Sequence, residues 1–164
     1  MGIKFNASEI LDMAIKIERN GAAFYAAAAA ISKEEKAKKL LTRLAEWEKS
    51  HELTFKAMKE DLGAADQEAV AFDPNNEVIL YLNAMADRNV FNVDDSPAKA
   101  LTGKETLESI LRKAIMMEKD SIVFYVGLKE LVPESLGRDK IDNIIHEEMG
   151  HIGYINDELT ALRK

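Results

Sequence analysis

The strongest constraint on this chain is a pattern of ionisable residues that occurs twice. Glu48-Lys49-Ser50-His51 is answered one hundred positions later by Glu148-Met149-Gly150-His151, and AIKIERNGAAFY at 14–25 by AIMMEKDSIVFY at 114–125. Ala, Ile, Glu, Phe and Tyr stay in register across the second pair, so Glu18 corresponds to Glu118 and Tyr25 to Tyr125. Internal duplication is the simple explanation, and it requires two similar halves that pack together.

Each of these acids falls on an apolar helical face. Glu18 shares its face with Leu11, Ala14, Ile15, Ala22, Tyr25 and Ala29, and Glu118 with Leu111, Ala114, Ile115, Ile122 and Tyr125. Glu48 and His51 lie on the stripe Leu41, Leu44, Phe55, Met58, while Glu148 and His151 lie with Ile141, Ile144, Ile145, Ile155 and Leu159. A carboxylate in such company is desolvated and needs a partner. Three residues apart, each Glu and His point the same way and can grip one ion with an oxygen and a nitrogen from successive turns. A single Glu-x-x-His is common by chance; four acids and two imidazoles, duplicated on apolar faces, are not.

The same periodicity runs over four long stretches and predicts an all-α chain. Asn6 with Glu9 has the form of a capping box before a helix over about 7–31, and Ser32 with Glu35 before a second over about 33–61. The pattern breaks in GAADQEAVAFDPNN, after which Asp73 as N-cap and Pro74 at the first position predict a short helix over about 75–88. Thr102 with Glu105 marks a third long helix to about Leu131, and after Val132-Pro133 a fourth runs from Pro133 or Ser135 to Leu162. The expectation is one domain over 1–164, with hairpin one at 7–61, a crossover at 62–103 and hairpin two at 104–162. At about 1.5 Å per residue, Glu18 and Glu48 each stand about 20 Å from the first turn, as Glu118 and Glu148 do from the second. Folding the hairpins together therefore brings six candidate ligands to one layer.

Composition narrows the chemistry. With no cysteine, any metal must be held by nitrogen and oxygen, and no catalytic thiol or iron–sulfur cluster can be built. A formal charge of -7 argues against nucleic-acid binding. MGIKFNASEI has no apolar leader and no run reaches membrane-spanning length, so a cytoplasmic address with no membrane partner is expected. Two divalent ions would neutralise four carboxylates crowded in a dry layer. Imidazole and carboxylate suit iron or manganese and tolerate zinc. Tyr25 and Tyr125 could be core packing or donors to ligating carboxylates of the opposite hairpin. Trp47 is read as a structural aromatic rather than an electron relay, His146 as a surface histidine, and Met116, Met117 and Met149 as gap fillers rather than haem ligands.

The order Glu, Glu-x-x-His, Glu, Glu-x-x-His resembles the ferritin-like di-iron carboxylate bundles. AIKIERNGAAFY, EKSH, MEKDSIVFY and HEEMGH look like the rubrerythrin-like branch, over nearly the whole chain. The resemblance implies a ferritin-like four-helix bundle of two hairpins, with two iron ions held by Glu18, Glu48, His51, Glu118, Glu148 and His151. It implies that Glu48 and Glu118, or their symmetry mates, bridge the ions, and that no haem is bound. It further implies an oxidoreductase that reduces peroxide or activates dioxygen, cycling between Fe2+ and Fe3+. Electrons would come from an external donor such as a separate rubredoxin-like protein, in an oxidative-stress role and as a homodimer. Two departures stand out. There are no cysteines for a rubredoxin-type site, and Ser121 stands where the family usually has a Glu three residues beyond the third-helix ligand. Two other functions stay open: a bacterioferritin-like storage subunit, although Lys49 stands where that family has its haem-ligand methionine, and a non-catalytic bundle holding zinc or no metal.

Overall fold

The computed structural model describes residues 7–62, 77, 80, 81, 84, 97–132 and 134–163. Four long helices carry the architecture: α1 (Ala7–Ile31), α2 (Glu35–Glu60), α3 (Leu107–Leu131) and α4 (Arg138–Ala161). Short 3-10 turns at Pro97–Ala100 and Glu134–Leu136 precede α3 and α4. Among the described residues there is no strand and no helix long and apolar enough to cross a membrane.

The helices arise where the apolar period predicts them, but three of the expected starts move. Ser32 does not cap α2: its N–H still bonds to Ala28 O at 3.0 Å, so it completes the last turn of α1. Glu34 becomes the N-cap, in extended backbone and without a side-chain cap. Thr102 and Glu105 do bond, the carboxylate accepting from Thr102 N–H at 2.8 Å and Gly103 N–H at 2.9 Å. They close a turn rather than a helix, because Gly103 takes a left-handed φ of 80°. Helix α3 starts after Thr106, whose hydroxyl accepts from Ser109 N–H at 3.2 Å. Likewise α4 begins at Arg138, not at Pro133 or Ser135, since Gly137 at φ 96° redirects the chain first.

The capping positions Asn6, Asp73 and Pro74 lie outside the described residues, as does most of the crossover and its expected helix at 75–88. Of that helix Glu77, Leu80, Tyr81 and Ala84 are described, and each is helical. The Tyr81 hydroxyl donates to Val123 O at 2.6 Å, tying the crossover to α3.

Helix α1 pairs with α2 and α3 with α4, and the hairpins meet through α1 against α3 and α2 against α4. The core forms two apolar slabs. One holds Ile10, Leu11, Ala14, Phe55, Met58, Phe124, Leu128, Ile141 and Ile144. The other holds Phe24, Ala28, Leu41, Leu44, Leu111, Ala114, Ile155 and Leu159. On every helix the acid of the repeat sits between a residue of one slab and a residue of the other. Repeat partners fall in opposite slabs: Leu11 and Leu111, Phe24 and Phe124, Leu41 and Ile141, Phe55 and Ile155. The duplication is therefore built as a pseudo-twofold that exchanges the slabs and runs through the polar layer.

Candidate metal centre

Four glutamates and two histidines fill that layer, all six buried, with Glu18 and Glu148 at 0% exposure. Burying four carboxylates together opposes folding unless something positive joins them. Two sets of ligand atoms lie within 4.8 Å of one another: Glu18, Glu48, His51 and Glu148, and Glu48, Glu118, Glu148 and His151. The acids common to both sets are Glu48 and Glu148, which are repeat partners, while Glu18 and Glu118 belong to one set each. The resemblance left open which acids are shared, Glu48 and Glu118 or their symmetry mates; the pseudo-twofold carries Glu48 onto Glu148, and these two belong to both sets.

The imidazoles offer Nδ1 to the layer. His51 Nδ1 stands 3.0 Å from Glu148 and 3.6 Å from Glu18. His151 Nδ1 stands 2.9 Å from Glu148, 3.5 Å from Glu48 and 3.6 Å from Glu118. Despite these approaches, Glu18 Oε2, Glu48 Oε1, both Glu148 oxygens and both Nδ1 atoms lack a hydrogen-bond partner among the described residues. Six orphaned polar atoms facing one another in an otherwise satisfied interior fit a cation site, and oxygen with imidazole nitrogen is a donor set for iron, manganese or zinc.

Without a cation the layer is electrostatically crowded. Burial first, then repulsion from Glu18, Glu148 and Glu118, pushes Glu48 well above the usual carboxylate range. Burial and Glu148 push Glu118 up to about 8, against the pull of His151. Burial would lower both imidazoles, but the acids beside them prevail, raising His51 to about 11 and His151 to about 10. Burial opposes the ionisation of Glu148 too, yet its contacts with Glu118 and the two histidines hold it below its ordinary value.

Around this layer the two tyrosines cross between hairpins. Tyr25 donates to Glu118 Oε1 and Tyr125 to Glu18 Oε1. Burial, then the neighbouring acids, raise both phenols well above their usual value, so they remain donors. Ser121 does not point its hydroxyl at the acids; Oγ donates to Met117 O at 3.0 Å. His146 is exposed, as expected for a surface histidine.

Three residues gain roles that the sequence did not suggest. Gly21 faces Glu48 so closely that a Cβ there would lie 2.7 Å from Glu48 Oε2. Glu147 accepts from His51 Nε2 at 2.8 Å. Trp47 stacks on the His151 ring with centroids 4.9 Å apart and planes at 10°. All three fall where the repeat does not hold, 21 against 121 and 47 against 147, but many neighbouring positions differ too, so the mismatch alone does not single them out.

A cavity of about 190 Å³ opens toward the layer between α1 and α3, with Gly21, Tyr25, Glu48, Glu118, Asp120 and Ser121 among its walls. On the α2 and α4 side a second cavity, of about 390 Å³, borders the outer edge of His51 and Glu147.

The sequence matches the rubrerythrin family model over residues 9–159. Among solved structures it is similar to a crystal structure from Thermotoga maritima described as a ferritin-like diiron-carboxylate protein. The two share 23% identity, with a TM-score of 0.70 over 98% of each chain, a likeness of fold. No curated protein matches the chain.

Proposed function

Because the chain belongs to the rubrerythrin family, we propose that it is a di-iron oxidoreductase that reduces hydrogen peroxide, or oxidises Fe2+ with peroxide or dioxygen, using an external electron donor. The observation that carries this function is the convergence of six buried, orphaned donors on one layer. Glu18 and His51 would serve one ion, Glu118 and His151 the other, and Glu48 and Glu148 both. Iron held there supplies a one-electron couple and a Lewis acid.

The chain's own residues set what can react. At about 190 Å³ the α1 and α3 cavity lies below the roughly 300 Å³ of pockets that hold drug-sized ligands and has room for peroxide or dioxygen. Tyr25 and Tyr125 fix one oxygen each of Glu118 and Glu18, leaving the other for a cation. Asp120 stands in the cavity wall, where a carboxyl can relay protons between solvent and the layer. Reduction of one peroxide to two waters takes up two protons and two electrons, so a proton donor beside the cavity is a chemical requirement.

The test is to load the protein anaerobically with Fe2+, add peroxide, and follow peroxide loss with metal content. Metal-dependent consumption that Glu48→Ala and His151→Ala abolish is expected. Consumption independent of bound metal sinks the proposal.

A further inference from the structure

The pseudo-twofold that relates the hairpins fails at a pair of positions touching the two candidate imidazoles. His51 gives its outer nitrogen, Nε2, to the Glu147 carboxylate at 2.8 Å. The residue in the equivalent place beside His151 is Trp47, which lies flat on that ring. An indole has an N–H donor and no acceptor, so it cannot accept a hydrogen bond from the imidazole. A hydrogen bond from the outer nitrogen to a carboxylate fixes the ring's orientation, leaves the inner nitrogen bare and makes it a better donor to a metal. Stacking on Trp47 fixes the ring plane of His151 but supplies none of that basicity.

We infer that the two halves of the centre are unequal, with Glu147 a positioning residue that makes the His51 half the tighter, first-filled cation site, and the Trp47 half the second. The inference rests on the metal-binding function proposed above and goes beyond it in assigning an order of filling. The exposed carboxylate of Glu147 also borders the cavity of about 390 Å³ on the α2 and α4 face, beside the His51 half and across the bundle from the α1 and α3 cavity. Lys140 lines the same cavity, and Glu147 and His51 are the carboxylate and the imidazole in its wall.

Trp47 is the chain's one tryptophan and lies on the His151 ring, so its fluorescence reports chiefly on the His151 half. The experiment titrates chelator-stripped protein with Zn2+ at pH 7, by calorimetry and by tryptophan fluorescence in parallel. Two resolved steps are expected, with most of the fluorescence change in the second. Glu147→Ala should weaken the first step about 10-fold, the lower end for loss of such a partner because water competes at this exposed position, and leave the second unmoved. Glu147→Gln keeps a carbonyl acceptor and should restore most of the loss, which a purely charge-based effect of Glu147 would not do, while a structural effect would lower the Tm of the Glu147→Ala protein without metal as well. Trp47→Glu should bring the two steps together. Two equal steps, or a Glu147→Ala effect shared by both, overturns the inference while leaving the metal site intact. Absence of Zn2+ binding overturns both.

Discussion

The Tyr25 hydroxyl reaches from the first hairpin to Glu118 of the second, and the repeat returns the same bond from Tyr125 to Glu18. Both partners of each bond are buried. Tyr25→Phe leaves a carboxylate oxygen without its donor in a dry layer, at a cost of about 2 kcal/mol for a bond to a charged group. In a chain of this length that lowers Tm by about 4–8 °C. Thermal unfolding of the metal-loaded protein measures it, and Tyr125→Phe should match; an unchanged Tm would mean the bond contributes nothing.

Gly21 sets a second expectation, because helix propensity and site geometry pull in opposite directions there. Alanine is favoured over glycine inside a helix by up to about 1 kcal/mol, but its Cβ would sit 2.7 Å from Glu48 Oε2 and the carboxylate must move. Gly21→Ala should therefore keep or raise the Tm of chelated protein while weakening metal binding roughly 10-fold. Gly153→Ala, where a Cβ meets nothing within 4 Å, is the control and should leave metal binding alone.

Removing metal should make stability fall as pH rises. Glu118 is raised to about 8, His51 to about 11 and His151 to about 10, so the folded state holds protons that the unfolded chain releases earlier. Groups raised in this way stabilise fully below their unfolded values and lose that contribution as pH climbs through the folded ones. The window opens near pH 4.5, the ordinary value of Glu118, steepens from about pH 6.5 as the histidines join, and closes near pH 11, where His51 gives up its proton. Chelated protein should lose Tm across it, whereas metal-loaded protein should not, since cations replace those protons. Parallel Tm curves for the two forms would refute this.

At the turn before α3, Glu105 offers a test away from the metal layer. Bonds from Thr102 and Gly103 hold its carboxyl down to about 2. A lowered value means the turn's contribution is present above the unfolded range and disappears as pH drops toward 2. Titration followed by NMR should show this low value, and Thr102→Val should raise it by removing the hydroxyl donor.

Much of this centre was legible because helical periodicity and the repeat constrain the same residues. A glutamate in the middle of an apolar stripe, met four times, left few arrangements other than a shared buried layer. Helix starts were less legible: Ser32 and Thr102 carry the right capping chemistry, but Ala28 and Gly103 decide where the helical path ends or begins. Which acids are shared was not legible either, since side-chain reach across the axis, not position along the helix, makes Glu48 and Glu148 common to both sets. Trp47 and Glu147 look like ordinary surface-edge residues in sequence, and only packing brings them against the two imidazoles.

Because each hairpin lends one glutamate to the other's set, Glu148 to that of Glu18 and Glu48 to that of Glu118, neither hairpin owns a complete coordination sphere. Prying them apart with cations seated means surrendering a ligand on both sides at once. The loaded protein should then owe its lifetime to how slowly ions leave, a kinetic persistence that equilibrium stability alone would underestimate.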